Sequence, residues 1–261
     1  MLEKMKKTPK TRLHLIDELR GFWIVNMIIY HGIWDMIYIF GSGWTWFGSD
    51  WVKLWQQIGC SSFICISGFC WQMSKKPFKR GMQVFLAGLI ITVVTLLVMP
   101  SSKVIFGVLT LLGSSMLLMI PLDKVVKKMN PWIGVIGALL LFLIFYPVNN
   151  GYLGFGPLRL IALPRELYAN LFTSYLGFTE PWFFSTDYFS LFPWFFMFVQ
   201  GYFLYSCLNK NMQSTAAQKT IHMLEKSICP FFGWVGRNSL VIYMLHQPIT
   251  YGLLYLINLI P

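Results

Sequence analysis

The chain has 261 residues, of which 56% are hydrophobic and 12% charged, and its formal net charge is +11. So large an apolar fraction cannot be buried in one soluble core, which excludes an ordinary soluble domain and indicates an integral protein of the lipid bilayer. The basic residues are scattered over short connections and form no single patch interleaved with aromatic residues, so nucleic acid is not an expected partner.

Seven apolar segments are predicted to cross the membrane. They are long enough to span about 30 Å of hydrocarbon as helices, and their continuous apolar character favours helices over a β-barrel. The predicted fold is therefore an all-α bundle of about seven transmembrane helices that forms a single domain over residues 1–261. The predicted spans are Leu15–Phe40, Trp51–Met73, Met82–Val98, Val104–Ile120, Trp132–Pro147, Tyr188–Cys207 and Asn238–Ile260.

The charges in the connections predict the orientation. With seven spans, fifteen Lys and Arg residues fall on the side of the N-terminus and four on the opposite side. Because basic loops stay in the cytoplasm, we expect a cytoplasmic basic tail over residues 1–14 and a C-terminus outside the cell. The expected location is the plasma membrane of a bacterium.

Ionisable residues in the first span are the strongest indication of function, since such residues are costly inside a membrane. Arg20 and His31 are eleven positions apart, so on a helix they share one side and are separated by about 16 Å along the axis. Asp35, one turn further, joins that side. The pattern suits an anion grip at one end and a base, oriented by a carboxylate, at the other.

Structural explanations of the same residues stay open. Arg20 can belong to a salt-bridged helix entrance with Asp17 and Glu18. His31 can be a histidine that bonds across helices, and Asp35 can extend to the outer surface.

The connection 148–187 is too long for a bare loop, and we expect it to form short helices on the outer side. At its end, Asp187 and Tyr188 open the sixth predicted span. They can contact an acceptor substrate, or Ser185, Thr186 or Asp187 can cap the helix.

The last predicted span carries a second set of polar residues. Arg237 and Asn238 lie at its cytoplasmic entrance and can serve as interface anchors or as ligands of a phosphate group. His246 lies about 13 Å further in, where it can line the same cavity as His31, belong to a donor channel, or pack structurally. The five cysteines include no Cys-x-x-Cys pair, and no metal site is expected.

Several motifs in chain order resemble the transmembrane acyltransferase superfamily that includes acyltransferase-3, and in particular the bacterial branch of its heparan-alpha-glucosaminide N-acetyltransferase catalytic family. The motifs are Ile16-Asp17-Glu18-Leu19-Arg20-Gly21 with His31-Gly32-Ile33-Trp34-Asp35, Ser67-Gly68-Phe69, Phe106-Gly107-Val108-Leu109 with Gly113-Ser114, Ser185-Thr186-Asp187-Tyr188-Phe189 with Pro193-Trp194, and Gly236-Arg237-Asn238-Ser239-Leu240 with Tyr243, His246, Gln247 and Pro248. The position of His31 resembles the acyltransferase-3 pattern rather than that of the lysosomal enzymes. The resemblance therefore does not imply that this chain acts on the amino-sugar substrate of the lysosomal enzymes.

The resemblance implies an enzyme that moves an acyl group, usually acetyl, from acetyl-CoA in the cytoplasm to an acceptor, commonly a sugar or glycan, on the far side. Arg20, Arg237, Asn238 and His246 are then candidate donor-binding residues, and Asp187 and Tyr188 candidate acceptor-binding residues. A homo-oligomer is compatible with the sequence.

The chemistry of acyl transfer agrees with the first span. His31 can take the proton of the acceptor, and Asp35 can fix its tautomer. Direct transfer in a ternary complex is favoured over an acyl-His31 intermediate. The alternative function is a proton-coupled transporter or flippase, which would also use intramembrane Arg, His and Asp.

Overall fold

The computed structural model of the chain describes residues 12–258, and helices dominate this part. The helices are α1 (His14–Tyr38), α2 (Asp50–Trp71), α3 (Pro77–Val98), α4 (Val108–Val126), α5 (Pro131–Phe145), α6 (Leu171–Leu176), α7 (Leu191–Lys210), α8 (Thr215–Glu225), α9 (Pro230–Arg237) and α10 (Ser239–Asn258). The predicted basic tail lies outside the described residues up to position 11, and so does the predicted end of the last span beyond 258.

Five helical segments of the described chain are long and apolar enough to cross a membrane: α3, α4, α7, α10, and α5 together with the 3-10 segment that continues it to Asn150. The two other predicted spans coincide with α1 and α2, which are 25 and 22 residues long. Their polar residues lower their mean hydropathy, with Asp17, Glu18, Arg20 and Asp35 all in α1. The chain is thus a mostly helical membrane protein, and length and composition support five spans.

The chain forms two compact units. One is Asp50–Lys210, and the other joins Met1–Ser49 to Asn211–Pro261. In the first unit, α2 and α7 meet at two glycines on opposite sides of the contact. A methyl group on Gly68 would lie 1.9 Å from the carbonyl oxygen of Phe198, and one on Gly201 would lie 1.9 Å from that of Cys65. Only glycine allows backbones to approach so closely.

The connection between α5 and α7 contains the expected short helices and, before them, a β-hairpin that was not expected. The antiparallel hairpin of β1 (Tyr152–Phe155) and β2 (Leu158–Ala162) is followed by a 3-10 helix (Arg165–Leu167) and the short helix α6. The turn falls at Gly156 and Pro157, and Gly156 has a positive φ of 55°. A Gly-Pro pair between two short apolar runs is a hairpin signal that outweighs helix formation here.

In the second unit, α1 packs along α9 and α10. The α1–α9 crossing again depends on glycines. A methyl group on Gly21 would lie 1.9 Å from the carbonyl oxygen of Phe232, and one on Gly236 would lie 1.8 Å from that of Asp17. This crossing brings the start of α1 against α9, so that α10 follows directly and runs beside the rest of α1.

Candidate functional site

Two histidines from distant parts of the chain meet between α1 and α10. Nε2 of His246 lies 3.0 Å from Nδ1 of His31, and Nδ1 of His246 bonds the carbonyl oxygen of Tyr243 one turn earlier in α10. His246 is buried and His31 is partly exposed. The sequence allows three interpretations of His246: a cavity shared with His31, a donor channel, or structural packing. In the structure its ring lies beside that of His31.

The hydrogen bonds determine the tautomers of the neutral pair. A carbonyl oxygen only accepts, so Nδ1 of His246 carries the proton that bonds Tyr243, and Nε2 of His246 has a lone pair. That lone pair accepts from Nδ1–H of His31. Nε2 of His31 is therefore the nitrogen with the lone pair, which is the form that a general base requires.

The expected contact between Asp35 and His31 is replaced by a different pairing. Asp35 is fully buried, and Nε2 of Gln247 donates to both of its carboxylate oxygens at 2.8 Å. The tautomer of His31 is set by His246, whose Nε2 lies 3.0 Å from Nδ1 of His31. Gln247 received no role from the sequence, although a polar residue in an apolar span is itself a signal.

Arg20 lies on the same continuous helix as His31. Because α1 runs unbroken from His14 to Tyr38, the spacing of eleven residues keeps both on one side. Arg20 is buried, and its Nη1 lies 3.4 Å from Oδ1 of Asp17, whose other oxygen accepts from Nε of Arg12 at 2.8 Å. A buried guanidinium next to a shared carboxylate can exchange one anionic partner for another.

Glu18 has a structural role that the sequence does not predict: its carboxylate binds the segment that precedes α9. Its buried carboxylate accepts from the Ser227 hydroxyl and from the backbone N–H groups of Ile228 and Cys229, at 2.9 Å and 3.0 Å for the shortest backbone bonds. These groups immediately precede α9, whose N-cap is Cys229 and whose first residue is Pro230. The carboxylate satisfies donors that would otherwise be unpaired and attaches α9 to α1.

A protein-family model described as the catalytic part of heparan-alpha-glucosaminide N-acetyltransferase matches residues 12–248. The chain belongs to this family. The match includes α1 and the first half of α10, hence both histidines. Membership makes the protein a membrane acetyltransferase by family and confirms the resemblance drawn from the motifs. Comparison with curated proteins and with solved structures gives no significant match.

In this family member, Arg237 and Asn238 lie at the junction of α9 and α10. Both are exposed, and Nδ2 of Asn238 donates to the carbonyl oxygen of Trp234 at 2.9 Å, which satisfies the end of α9. The Arg237 side chain passes close to Gly233, as does the Glu18 side chain. Arg237 thus lies near the base of α1 and is accessible to a soluble anion.

Asp187 and Tyr188 belong to the other compact unit. Oδ2 of Asp187 lies 3.4 Å from the backbone nitrogen of Val108 and accepts its hydrogen at the start of α4, whereas the predicted cap was on the following span. The Tyr188 hydroxyl donates to the carbonyl oxygen of Ser174 in α6. Both contacts fasten the connection 148–187, and α7 begins only at Leu191.

Proposed function

We propose that this membrane acetyltransferase transfers acetyl from acetyl-CoA to a sugar or glycan acceptor, with His31 as the general base. One observation carries the proposal: His246 holds Nδ1 of His31, which leaves the lone pair on Nε2. The family match supplies the class of reaction. Direct transfer requires only one such base between donor and acceptor.

In the proposed step the acceptor hydroxyl or amine gives its proton to Nε2 of His31 while its oxygen or nitrogen attacks the thioester carbonyl carbon. The carbon–sulfur bond then breaks, and the imidazolium returns the proton to the departing sulfur. The product is the acetylated acceptor and free CoA thiol. General-base catalysis of this kind contributes about 10²–10⁴-fold to the rate.

Arg20 is proposed to bind the phosphates of the donor. It is buried, cationic and about 16 Å along the helix from His31, a distance that a pantetheine arm can bridge. Arg237 and Asn238 are proposed to assist from the surface. His246, a candidate donor ligand by sequence, is here assigned to His31 instead. Asp187 and Tyr188 remain proposed acceptor contacts, supported by their place in the sequence motif alone.

We further propose seven spans, with α1 and α2 added to the five apolar helices, and a cytoplasmic N-terminus in a bacterial plasma membrane. At 25 residues α1 is about 37 Å long, enough to cross the hydrocarbon. Arg20 near the start of α1 and Asp35 in its last turn are both buried against the rest of the protein. Protease accessibility of tags at the two ends in sealed vesicles tests the orientation, which is overturned if both tags are cleaved from the same side.

The decisive experiment measures acetyl-CoA consumption and acetylated product with purified protein in lipid nanodiscs and a panel of glycan acceptors. His31→Ala should reduce turnover by about 10²–10⁴-fold while acetyl-CoA still binds. His222→Ala, a change of an exposed histidine on α8, is the matched control and should behave as the wild type. A His31→Ala protein that turns over at the wild-type rate would refute the role of His31.

A further inference from the structure

Asp35 presents an arrangement that packing alone does not explain. The carboxylate is fully buried in α1 and makes no ion pair with any residue between 12 and 258. Its described partner is one neutral amide nitrogen, which donates to both oxygens at 2.8 Å. Buried carboxylates usually have a cation or several donors, because their desolvation is costly. A buried carboxyl group with so few partners points to a role in the site.

The Asp35 carboxylate fixes the orientation of the Gln247 amide. Carboxylate oxygens only accept, so the amide must present its NH₂ group to Asp35 and its Oε1 must point the other way. Within the described part of the chain, Oε1 is buried and has no hydrogen-bond partner. Gln247 directly follows His246 in α10 and bonds Asp35, one turn beyond His31 in α1, which places its side chain beside the His31 imidazole. The site therefore contains an oriented and unpaired acceptor next to the proposed base.

We infer that Gln247 is a positioning residue for His31 and that Asp35 acts through Gln247. This inference rests on the proposed function, because it concerns the charge that His31 gains when it takes the acceptor proton. Nε2 of His246 accepts the hydrogen bond from Nδ1–H of His31 both before and after proton transfer. Oε1 of Gln247, with the Asp35 charge behind it, provides negative potential for the proton that arrives at Nε2.

The arrangement stabilises the reacting state more than the resting state. Before transfer, Nε2 of His31 has no proton, and Oε1 of Gln247 has nothing to accept. During transfer a cation forms next to an acceptor that is already oriented, in a site where burial strengthens electrostatic attraction. An interaction gained only as the reaction proceeds raises kcat and leaves substrate affinity unchanged. Oε1 of Gln247 then stabilises the imidazolium of His31 that forms during the reaction.

Three variants separate this role from a merely structural one. Gln247→Met keeps the length of the side chain and removes the acceptor. Asp35→Asn allows the amide of Gln247 to rotate by about 180°, because the new amide at position 35 can donate to Oε1 of Gln247. The NH₂ group of Gln247 would then face His31. The exchanged pair Asp35→Asn with Gln247→Glu restores an acceptor, since the amide at position 35 donates to one oxygen of the new carboxylate and the other oxygen faces His31.

The measurement is kcat and KM for acetyl-CoA and acceptor in nanodiscs, together with the melting temperature. Gln247→Met and Asp35→Asn should each lower kcat by about tenfold to hundredfold with KM close to wild type. The melting temperature should stay close to wild type in Asp35→Asn and fall in Gln247→Met, because the buried Asp35 carboxylate loses its donor there. The exchanged pair should recover most of the loss seen in Asp35→Asn. Gln218→Met on the exposed side of α8 is the control for an added methionine.

Wild-type kcat in Gln247→Met, or an exchanged pair no more active than Asp35→Asn, overturns the inference. If Gln247→Met does not fold, the comparison of Asp35→Asn with the exchanged pair decides. The outcome for the proposed function is read separately: a fully active His31→Ala refutes the base itself, whereas an inactive His31→Ala with a fully active Gln247→Met refutes only the role of Gln247 and Asp35.

Discussion

His31 and His246 are 215 positions apart in the chain, and their ring nitrogens lie 3.0 Å from each other. His246 in turn donates to the Tyr243 carbonyl oxygen. This direction of hydrogen bonding gives His246 a testable influence on the proton of His31.

Replacing His246 with Phe should keep the ring volume and remove the acceptor for Nδ1–H of His31. The imidazole can then take the other tautomer, and we expect kcat to fall by about tenfold to hundredfold, less than for His31→Ala, with little change in KM. Nitrogen-15 NMR of histidine-labelled protein should find Nδ1 of His31 protonated in the wild type and both tautomers in the variant. An unchanged tautomer with unchanged kcat would contradict the assignment, and His222→Phe on the surface is the control.

Arg20→Ala should weaken the binding of acetyl-CoA and leave the rate of the chemical step unchanged. Loss of a buried charged hydrogen-bond donor costs about 1.5–3 kcal/mol, which corresponds to roughly tenfold to hundredfold in KM for acetyl-CoA. Asp17 keeps its partner Arg12 in the variant. Arg165→Ala, an exposed arginine in the other unit, should leave KM unchanged. A lower melting temperature with an unaltered KM would instead identify Arg20 as a purely structural residue.

Glu18→Gln should destabilise the protein at the α1–α9 contact. The amide would direct its NH₂ group at backbone donors that now meet a carboxylate, and the loss of these charged hydrogen bonds should cost about 1.5–3 kcal/mol. The melting temperature in detergent measures the change. Glu166→Gln on the surface is the matched substitution, expected within about 0.5 kcal/mol of wild type. Equal melting temperatures for the two variants would contradict the role of Glu18.

Gly21→Ala should disrupt the crossing of α1 and α9, since the new methyl group would lie 1.9 Å from a backbone oxygen that belongs to another helix. Overpacking of this kind costs about 1–3 kcal/mol. The surviving fraction of monodisperse protein after heating reports the loss. Gly252→Ala in α10 meets nothing within 4 Å and should be neutral or slightly stabilising. Equal survival of both variants would show that the crossing can relax.

The sequence predicted those features of the site that depend on one helix. The spacing of Arg20 and His31 follows from helical geometry, and α1 is unbroken across both. The seven apolar segments also located seven long helices, although the polar residues of α1 and α2 leave five that satisfy length and apolarity.

The pairing of α1 with α10 could not be predicted in the same way. His246 and Gln247 face His31 and Asp35 because glycines at positions 21 and 236 let α9 cross the start of α1. Such contacts are tertiary, and no local pattern identifies the partner of a given helix face. The hairpin of β1 and β2 differs from the expected helices because a single Gly156-Pro157 turn reverses the chain between two short apolar runs, a local signal that is weak within an apolar stretch.

The continuous course of α1 has a consequence for the choice of donor. Under the proposed function the helix fixes the distance between the guanidinium of Arg20 and the imidazole of His31, because α1 has no kink or break between them. A truncated thioester that carries only the end of the pantetheine arm could reach one of the two groups but never both at once. Selection among acyl donors would then depend on the length between phosphate and sulfur more than on the identity of the acyl chain.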